Sequence, residues 1–222
     1  MPYDWPGLIN LILLLIDGTK IALKVFFLTL IFSLPLGLVT ALGRMYGNRL
    51  IKGLMKFYIL IMRGTPLILQ LSFVYFAPYF LLPEGLRINF DRFVAAIIAC
   101  SLNYAAYFAE IFRGGIESIP QGQYEAAAVL GFSKRQTFMR IVLPQVVKRI
   151  LPPVSNEVIT LVKDTALVST LGIAELYRLA TGEASRVVSP IPFLIAGMIY
   201  LVWNWVVTEI LLKAEKKLAY YK

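Results

Sequence analysis

The segment IALKVFFLTLIFSLPLGLVTAL, residues 21–42, decides the class of fold, because its 22 residues include only one charged side chain, Lys24. A helix of about 20 apolar residues is long enough to cross the hydrocarbon core of a membrane. Lys24 lies near one end of the segment, where its long side chain can carry the ammonium group to the membrane surface. Pro35 is tolerated in such a helix as a kink. The segment therefore predicts a transmembrane helix.

Other apolar stretches repeat this pattern along the chain. Three of them are long enough to cross a membrane, namely residues 57–82, 93–112 and 192–212. A fourth, residues 150–173, is interrupted by Pro152-Pro153, and only 13 residues separate Arg149 from Lys163, roughly 20 Å of helix. Because irregular backbone is not stable against lipid, we expect a broken span that is buried in protein or lines a cavity. The sequence thus predicts an all-α membrane protein with five transmembrane helices, the fourth of them broken.

The basic residues predict how these helices are oriented. Fourteen of the 22 lysines and arginines lie between spans one and two, between spans three and four, or after span five. They are Arg44, Arg49, Lys52, Lys56, Arg113, Lys134, Arg135, Arg140, Lys148, Arg149, Lys213, Lys216, Lys217 and Lys222. Positive charge accumulates on the cytoplasmic side, so the N-terminus is predicted outside and the tail, residues 213–222, inside. Residues 1–18 are predicted to be interfacial, with Asp17-Gly18-Thr19 stopping one helix and starting the next.

The overall composition excludes several classes of protein. The chain has 222 residues, 59% of them hydrophobic and 16% charged, with a mean hydropathy of +0.73, whereas soluble domains are about 45–50% apolar and about 25% charged. We therefore expect residues 1–222 to form a single transmembrane domain. The chain has no histidine and one cysteine, Cys100, which excludes a Cys/His metal site, a disulfide within the chain and a histidine-based triad. The net charge of +9 is explained by topology, so no nucleic-acid partner is expected.

Polar side chains recur within the predicted spans at helical spacing. They form three sets: Arg63 with Gln70; Asn103 with Tyr107 and Glu110; and Glu157 with Thr160 and Asp164. Each set lies on one face of its helix, and ionisable residues inside a membrane are costly enough to be functional candidates. We expect three polar stripes that turn inward.

Depth divides these residues into two tiers. Arg63, Glu110 and Glu157 lie nearer the cytoplasm. Arg63 could form an ion-pair network with one or both glutamates that holds helices together, or these residues could form a gate or a ligand contact. The outer residues could contact a substrate or form interhelical hydrogen bonds. For a zwitterion, Asp164 and Asn103 could accept from the ammonium group, while donors to the carboxylate could come from Gln70, Thr65 or backbone near Pro66. The candidate substrate contacts are Thr65, Gln70, Asn103, Tyr107, Glu110, Thr160 and Asp164.

The predicted cytoplasmic loop, residues 117–145, has the sequence ESIPQGQYEAAAVLGFSKRQTFMRIVLPQ. The alanine-rich run favours a short helix that ends at Gly131. Ser133 suits the N-cap of a second helix, residues 134–142, which Pro144 would stop. Two short helices that meet at a glycine would make a compact docking surface, and a solvated helical hairpin is the equally weighted alternative.

The spacing of this loop resembles the EAA motif of ABC-importer permeases. The matching residues are Glu125-Ala126-Ala127, Gly131, Ile141 and Leu143-Pro144. Flanking matches are Arg63-Gly64-Thr65-Pro66 with Gln70, Tyr107 through Ala109-Glu110 to Arg113-Gly114-Gly115, Gly122-Gln123 and Lys163-Asp164-Thr165. Together they resemble the polar amino acid uptake branch of that family over roughly residues 19–217. Ala166 departs from the serine that the family often has there.

This resemblance implies a permease subunit in the inner (plasma) membrane of a bacterium. Its loop would be a coupling helix seated on an ATPase subunit, with Glu125, Ala126, Ala127, Gly131 and Arg135 as the coupling residues. The chain has no G-x-x-x-x-G-K-[ST] phosphate loop, so ATP and magnesium would bind the partner and no cofactor is expected here. The other implied partners are a second permease, an extracytoplasmic solute-binding protein and a polar amino acid.

Two other classes remain open at this stage. A secondary transporter or channel would need no ATPase and would use Glu110, Glu157 and Asp164 as proton or ion sites. A membrane scaffold without a pathway would leave the inward polar stripes without a purpose. The loop pattern favours the importer over both.

Overall fold

The structure, a computed structural model, describes residues 3–218. These residues form nine α-helices, and no strand occurs among them. The helices are α1 (Trp5–Tyr46), α2 (Arg49–Gly64), α3 (Leu67–Phe80), α4 (Arg92–Glu117), α5 (Gln121–Val129), α6 (Lys134–Thr137), α7 (Leu143–Asp164), α8 (Leu176–Val187) and α9 (Ile191–Leu218). Short 3₁₀-helices lie at Glu84–Leu86 and Thr165–Leu171, and a π-helical turn at Phe138–Val142. The prediction of an all-α chain is confirmed for the described residues.

Three helices, α1, α4 and α9, are long and apolar enough to cross a membrane. The pair α2 and α3 passes the same test together but is bent by 114° between its two helices. The count of five spans therefore stays a prediction. Of the predicted cytoplasmic tail, residues 213–218 continue α9, while residues 219–222 lie outside the described residues, as do residues 1 and 2 of the N-terminal segment.

The second predicted span, residues 57–82, is interrupted in the structure, although only the fourth was expected to be broken. Helix α2 ends at Gly64, and Thr65 and Pro66 both adopt extended backbone before α3 begins at Leu67. A residue that precedes proline is driven out of the helical region by the proline ring, and proline has no N–H to continue the helical hydrogen bonds. The segment is consequently a bent pair of helices.

The predicted helix stop at Asp17-Gly18-Thr19 is wrong, because α1 runs through it without a break. Asp17 pairs with Lys20 at 2.6 Å, and the Thr19 hydroxyl donates to the Leu15 carbonyl at 2.9 Å, so both polar side chains are used along the helix. A Cβ on Gly18 would lie 2.9 Å from the backbone nitrogen of Leu176. This glycine therefore permits close packing of α1 against the start of α8 and does not end the helix.

The broken fourth span is placed differently from the prediction. Helix α7 runs through Pro152-Pro153, and prolines inside a packed membrane helix are accommodated by neighbouring helices. Irregular backbone begins after Asp164 as a 3₁₀-helix, which ends at Gly172 with a left-handed φ of 80°. Pro144 does not stop a helix either: it lies in the first turn of α7, where a missing N–H costs little, and a π-helical turn precedes it.

Helix α4 lies at the centre of the fold. Its buried residues are mostly small, and they face α1, α2, α3 and α7. Six of them are alanines: Ala95, Ala96, Ala99, Ala105, Ala106 and Ala109. Small residues let membrane helices approach closely, which increases van der Waals contact. The close packing around α4 brings the polar side chains of α2, α3 and α4 within reach of one another.

Candidate functional site

A neutral hydrogen-bond network, here called the bend network, closes the break between α2 and α3. In a continuous helix the Met62 carbonyl would accept from residue 66, but Pro66 has no N–H. The Gln70 side-chain amide donates to this carbonyl at 3.0 Å, and the Asn103 amide donates to it at 3.0 Å and to Gln70 Oε1 at 2.9 Å. Gln70 also donates to the Thr65 carbonyl and hydroxyl at 3.1 and 2.8 Å.

The bend network brings together three predicted substrate contacts, Thr65, Gln70 and Asn103. Gln70 and Asn103 are buried, and their amide donors all point at partners inside the chain. The Thr65 hydroxyl donates to the Ile61 carbonyl at 2.8 Å while it accepts from Gln70. For these residues the sequence left two roles open, substrate contact and interhelical hydrogen bonds. The contacts observed are hydrogen bonds within the protein, and substrate contact stays a prediction.

A second polar group, here called the arginine cluster, surrounds Glu110 on α4. Glu110 Oε1 accepts a hydrogen bond from Arg44 of α1, and Oε2 accepts one from Arg113 at 2.7 Å. Arg63 of α2 approaches Oε2 to 3.9 Å, too far for a hydrogen bond. Arg113 also pairs with Glu117. One carboxylate, with its side chain only 16% exposed, therefore serves three guanidinium groups from three helices.

Arg63 is predicted to pair with one or both of two glutamates, and of these two the structure brings only Glu110 within 4.0 Å of its guanidinium group. Within residues 3–218, no basic side chain comes within 4.0 Å of the other carboxylate, that of Glu157. The reason is the face that α7 uses for packing, which presents Val158, Leu161 and Val162 to the core. Glu157 is left at a half-exposed position.

The remaining predicted contacts lie in different surroundings. Asp164, at the end of α7, accepts a hydrogen bond from the Tyr104 hydroxyl at 2.7 Å. Thr160 is exposed, and its hydroxyl donates to the Asn156 carbonyl one turn earlier. The Tyr107 ring lies under the Arg63 guanidinium, with 5.3 Å between the guanidinium carbon and the ring centroid. The polar residues thus form separate clusters and not one continuous site.

The loop between α4 and α7 contains a glycine-ended helix with an exposed apolar tip. Gly131 has a left-handed φ of 77°; its N–H bonds to the Ala128 carbonyl, and the Phe132 N–H bonds to the Ala127 carbonyl, each at 3.0 Å. This pair of bonds is the Schellman motif that ends a helix at glycine. Val129 and Leu130 are 88% and 73% exposed beside this turn.

The predicted coupling residues divide between the surface and the core of this loop. Glu125, Ala126, Gly131 and Arg135 are exposed. Ala127 is 1% exposed, so it packs inside the loop and has no surface for a partner. After the glycine, Ser133 caps α6 in a reciprocal pair of hydrogen bonds with Gln136, which fixes the start of the second helix as expected.

Sequence reasoning assigned no site role to four polar residues whose side chains the structure places in polar contacts: Arg44, Arg113, Tyr104 and Glu175. Arg113 follows Glu110 by three residues and precedes Glu117 by four, which is ion-pair spacing on a helix. Glu175 is fully buried, caps α8 by accepting from the backbone N–H groups of residues 177 and 178, and accepts from Tyr200 at 3.1 Å. Its position before a helix was the available signal. Arg44 lies 66 residues from Glu110, and no local sequence pattern indicated their contact.

Among the described residues, no group of three or more potential metal ligands comes together.

Polar and charged side chains that turn inward between helices long and apolar enough to cross a membrane are typical of membrane transport proteins. Residues 33–218 match the family described as the inner membrane component of binding-protein-dependent transport systems, and the chain belongs to this family. It is therefore a permease subunit of an ABC importer and not an enzyme; the ATPase is a separate subunit. The predicted importer is confirmed over a secondary transporter or channel.

Named relatives are similar over most of their length. The chain is 38% identical over 219 residues to the arginine transport system permease protein ArtQ of Bacillus subtilis strain 168, which covers 98% of each chain. It is 37% identical over 179 residues to the glutamine transport system permease protein GlnP of Escherichia coli strain K12, covering 80% of each. A solved amino acid ABC transporter, crystallised with histidines, is 33% identical with a TM-score of 0.87, covering 98% of this chain and 100% of that one. The MetNI methionine ABC transporter shares the fold at 16% identity and a TM-score of 0.71.

Proposed function

We propose that this permease moves a polar amino acid into the cell by alternating access. Two permease chains would form the pathway, an ATPase would dock on the loop between α4 and α7, and an extracytoplasmic binding protein would deliver the substrate. The names of the relatives, which refer to arginine and glutamine transport, support the substrate class. The exposed apolar tip at Gly131 is the single observation that carries the docking of the ATPase.

The geometry of the loop supports a mechanical route from the tip to the middle of the membrane. Helix α6, the π-helical turn and α7 follow one another without a break, so they form a helical rod roughly 45 Å long at 1.5 Å per residue. Its far end is Asp164, which contacts Tyr104 of the central helix. Movement of the tip would therefore displace α7 and the 3₁₀-helix beyond it, while the bend network keeps α2, α3 and α4 together.

The orientation belongs to this proposal. The loop and the C-terminal tail would be cytoplasmic and the N-terminus outside, with α7 and its 3₁₀-helix serving as the fourth of five spans. Thr160 is exposed and Glu157 half-exposed on α7, and in a dimer they would face the second permease. A zwitterionic substrate would then meet Asp164 near its ammonium group and the backbone of residues 64–66 near its carboxylate.

The test replaces Gly131 with glutamate. A Cβ there meets open space, so the fold has room for it, but a non-glycine residue at this φ costs about 1 kcal/mol and the carboxylate adds charge to an apolar tip. We expect normal membrane insertion, loss of the ATPase from the purified complex and at least a tenfold fall in ATP-driven amino acid uptake in proteoliposomes.

The matched control is Gly182→Glu, which places the same side chain in open space on α8. This variant should retain the ATPase during purification. Unchanged uptake by the Gly131→Glu variant would refute coupling through this tip. Uptake that follows a proton gradient without ATP would refute the importer mechanism.

A further inference from the structure

A stripe of basic residues follows the exposed face of α2. Arg49, Lys52, Lys56 and Arg63 are spaced by three, four and seven residues, which places all four within an arc of about 60° on a helix with 3.6 residues per turn. All four are exposed, and the helix has a single buried residue, Ile59. Arg63 lies over the Tyr107 ring and approaches Glu110, whereas the other three side chains make no hydrogen bond or ion pair with a residue of the described range 3–218.

This stripe leads into a cavity of about 490 Å³ between α1, α2 and α4. Its polar lining consists of Arg44, Lys56, Arg63, Tyr107 and Glu110. Its apolar lining comes from Ile59, Leu60 and Gly64. The cavity is therefore cationic at one wall and apolar at the other.

The cations of the cavity exceed its internal acceptors. The two oxygens of Glu110 already accept hydrogen bonds from Arg44 and Arg113. Arg63 makes no hydrogen bond within residues 3–218, since its nearest carboxylate oxygen is 3.9 Å away, and none joins Lys56 to a described residue. The residues that line the cavity include three cations, Arg44, Lys56 and Arg63, and one carboxylate, Glu110, which is a net charge of +2.

The chemistry of these groups selects a phosphate ligand. A guanidinium group binds phosphate oxygens through paired N–H donors, and an ammonium group adds a point charge. Basic pockets between membrane helices on the cytoplasmic side bind acidic lipid headgroups. Beside the cavity, Leu60 and Phe57 are 68% and 61% exposed, which gives acyl chains an apolar surface that a free inorganic anion would not use.

We propose that this cavity binds the phosphate of an anionic phospholipid headgroup through Arg63 and Lys56, with the acyl chains lying on α2. The inner leaflet is the source of this lipid if the orientation proposed above holds. Binding itself does not depend on that orientation, and the experiment is carried out in detergent, where its failure is distinct from a failure of transport.

The experiment measures lipid binding to the purified transporter complex by native mass spectrometry. The probes are dioleoyl phosphatidylglycerol, dioleoyl phosphatidylcholine and inorganic phosphate, each titrated over the same range. Lys56→Gln and the double variant Lys56→Gln/Arg63→Gln are compared with Lys213→Gln, which removes an exposed lysine from α9. A melting curve for each variant verifies that it is folded, and Lys56→Gln removes no hydrogen bond or ion pair to a described residue.

We expect phosphatidylglycerol to bind the wild type more tightly than phosphatidylcholine does. Its affinity should fall about fivefold for each cavity charge removed and stay unchanged in Lys213→Gln. Equal affinity for phosphatidylglycerol in the wild type and the double variant would overturn the proposal. So would a failure of phosphatidylglycerol to bind a complex in which the second permease covers the cavity. Displacement of the lipid by inorganic phosphate at equal concentration would identify a soluble anion as the ligand. This result would overturn the proposal that the ligand is a phospholipid.

Discussion

The bend network and the arginine cluster both join α2 to α4, but they do so by different physics. The bend network is neutral and buried, and every amide donor in it has an acceptor. The arginine cluster is charged, is exposed at its edges, and has more cations than anions. The bend network therefore fixes the shape of the backbone break, whereas the arginine cluster can still bind additional negative charge.

This difference has an energetic basis. A neutral hydrogen bond inside a membrane protein contributes on the order of 1 kcal/mol, but an unpaired buried partner costs more than the bond itself contributes. An ion pair at a half-exposed site is weakened by solvent and by salt. The two groups should thus respond differently to substitution and to ionic strength.

The largest effect is expected from Asn103→Leu. This change removes two donated hydrogen bonds and leaves the buried Gln70 Oε1 without its donor, at a cost of about 2 kcal/mol. Unfolding by sodium dodecyl sulfate in mixed micelles measures the free energy of unfolding. Asn156→Leu is the control, because Asn156 is exposed on α7. An equal loss in both variants would show that the bend network does not stabilise the break.

A smaller effect is expected from Glu110→Gln, about 1 kcal/mol at low salt, because three arginines lose their shared anion. The loss should shrink as sodium chloride rises from 50 mM to 500 mM, since added salt screens the remaining repulsion between arginines, whereas the loss in Asn103→Leu should not change. Glu117→Gln is the control, since among residues 3–218 Glu117 forms an ion pair with Arg113 alone, and its side chain is 52% exposed. A salt-independent loss in Glu110→Gln would show that the cluster acts by packing and not by charge.

The smallest effect on stability is expected from Arg63→Gln, under about 0.5 kcal/mol, because exposed ion pairs contribute little. Arg63 is 3.9 Å from Glu110 and its side chain is 44% exposed. The same unfolding titration measures it, with Arg113→Gln as the comparison, whose loss should be larger because Arg113 bonds both Glu110 and Glu117. A loss in Arg63→Gln as large as that in Glu110→Gln would place Arg63 among the structural ion pairs.

Local sequence rules contain a signal for part of both groups. Pro66 implies an unpaired Met62 carbonyl, although we expected a continuous span there, and the spacing of Glu110, Arg113 and Glu117 implies an ion pair along one helix. The loop was predicted in more detail, because Gly131 and Ser133 act on neighbouring backbone. Rules of this kind are reliable where the partners are a few residues apart.

The errors arose where a distant element decided the outcome. Gly18 looks like a helix stop, yet it lies inside α1 because α8 packs against it at close range. Arg44 has the sequence pattern of a surface cation, yet it bonds Glu110 across 66 residues. Glu157 lies at the same predicted depth as Arg63, yet α7 packs through Val158, Leu161 and Val162 and leaves Glu157 half-exposed.

The sequence by itself determined a helical membrane protein, its family and the helix–glycine–helix form of its loop, because hydrophobicity and the EAA spacing are local properties of the chain. Only the tertiary structure decided which donors fill the break at Pro66, which arginines share Glu110, and that Ala127 is buried while Leu130 is exposed. The physical reason is that burial and hydrogen-bond partners depend on how helices far apart in sequence approach each other. The small residues along α4 permit this close approach, but which helices they meet is decided by the packing.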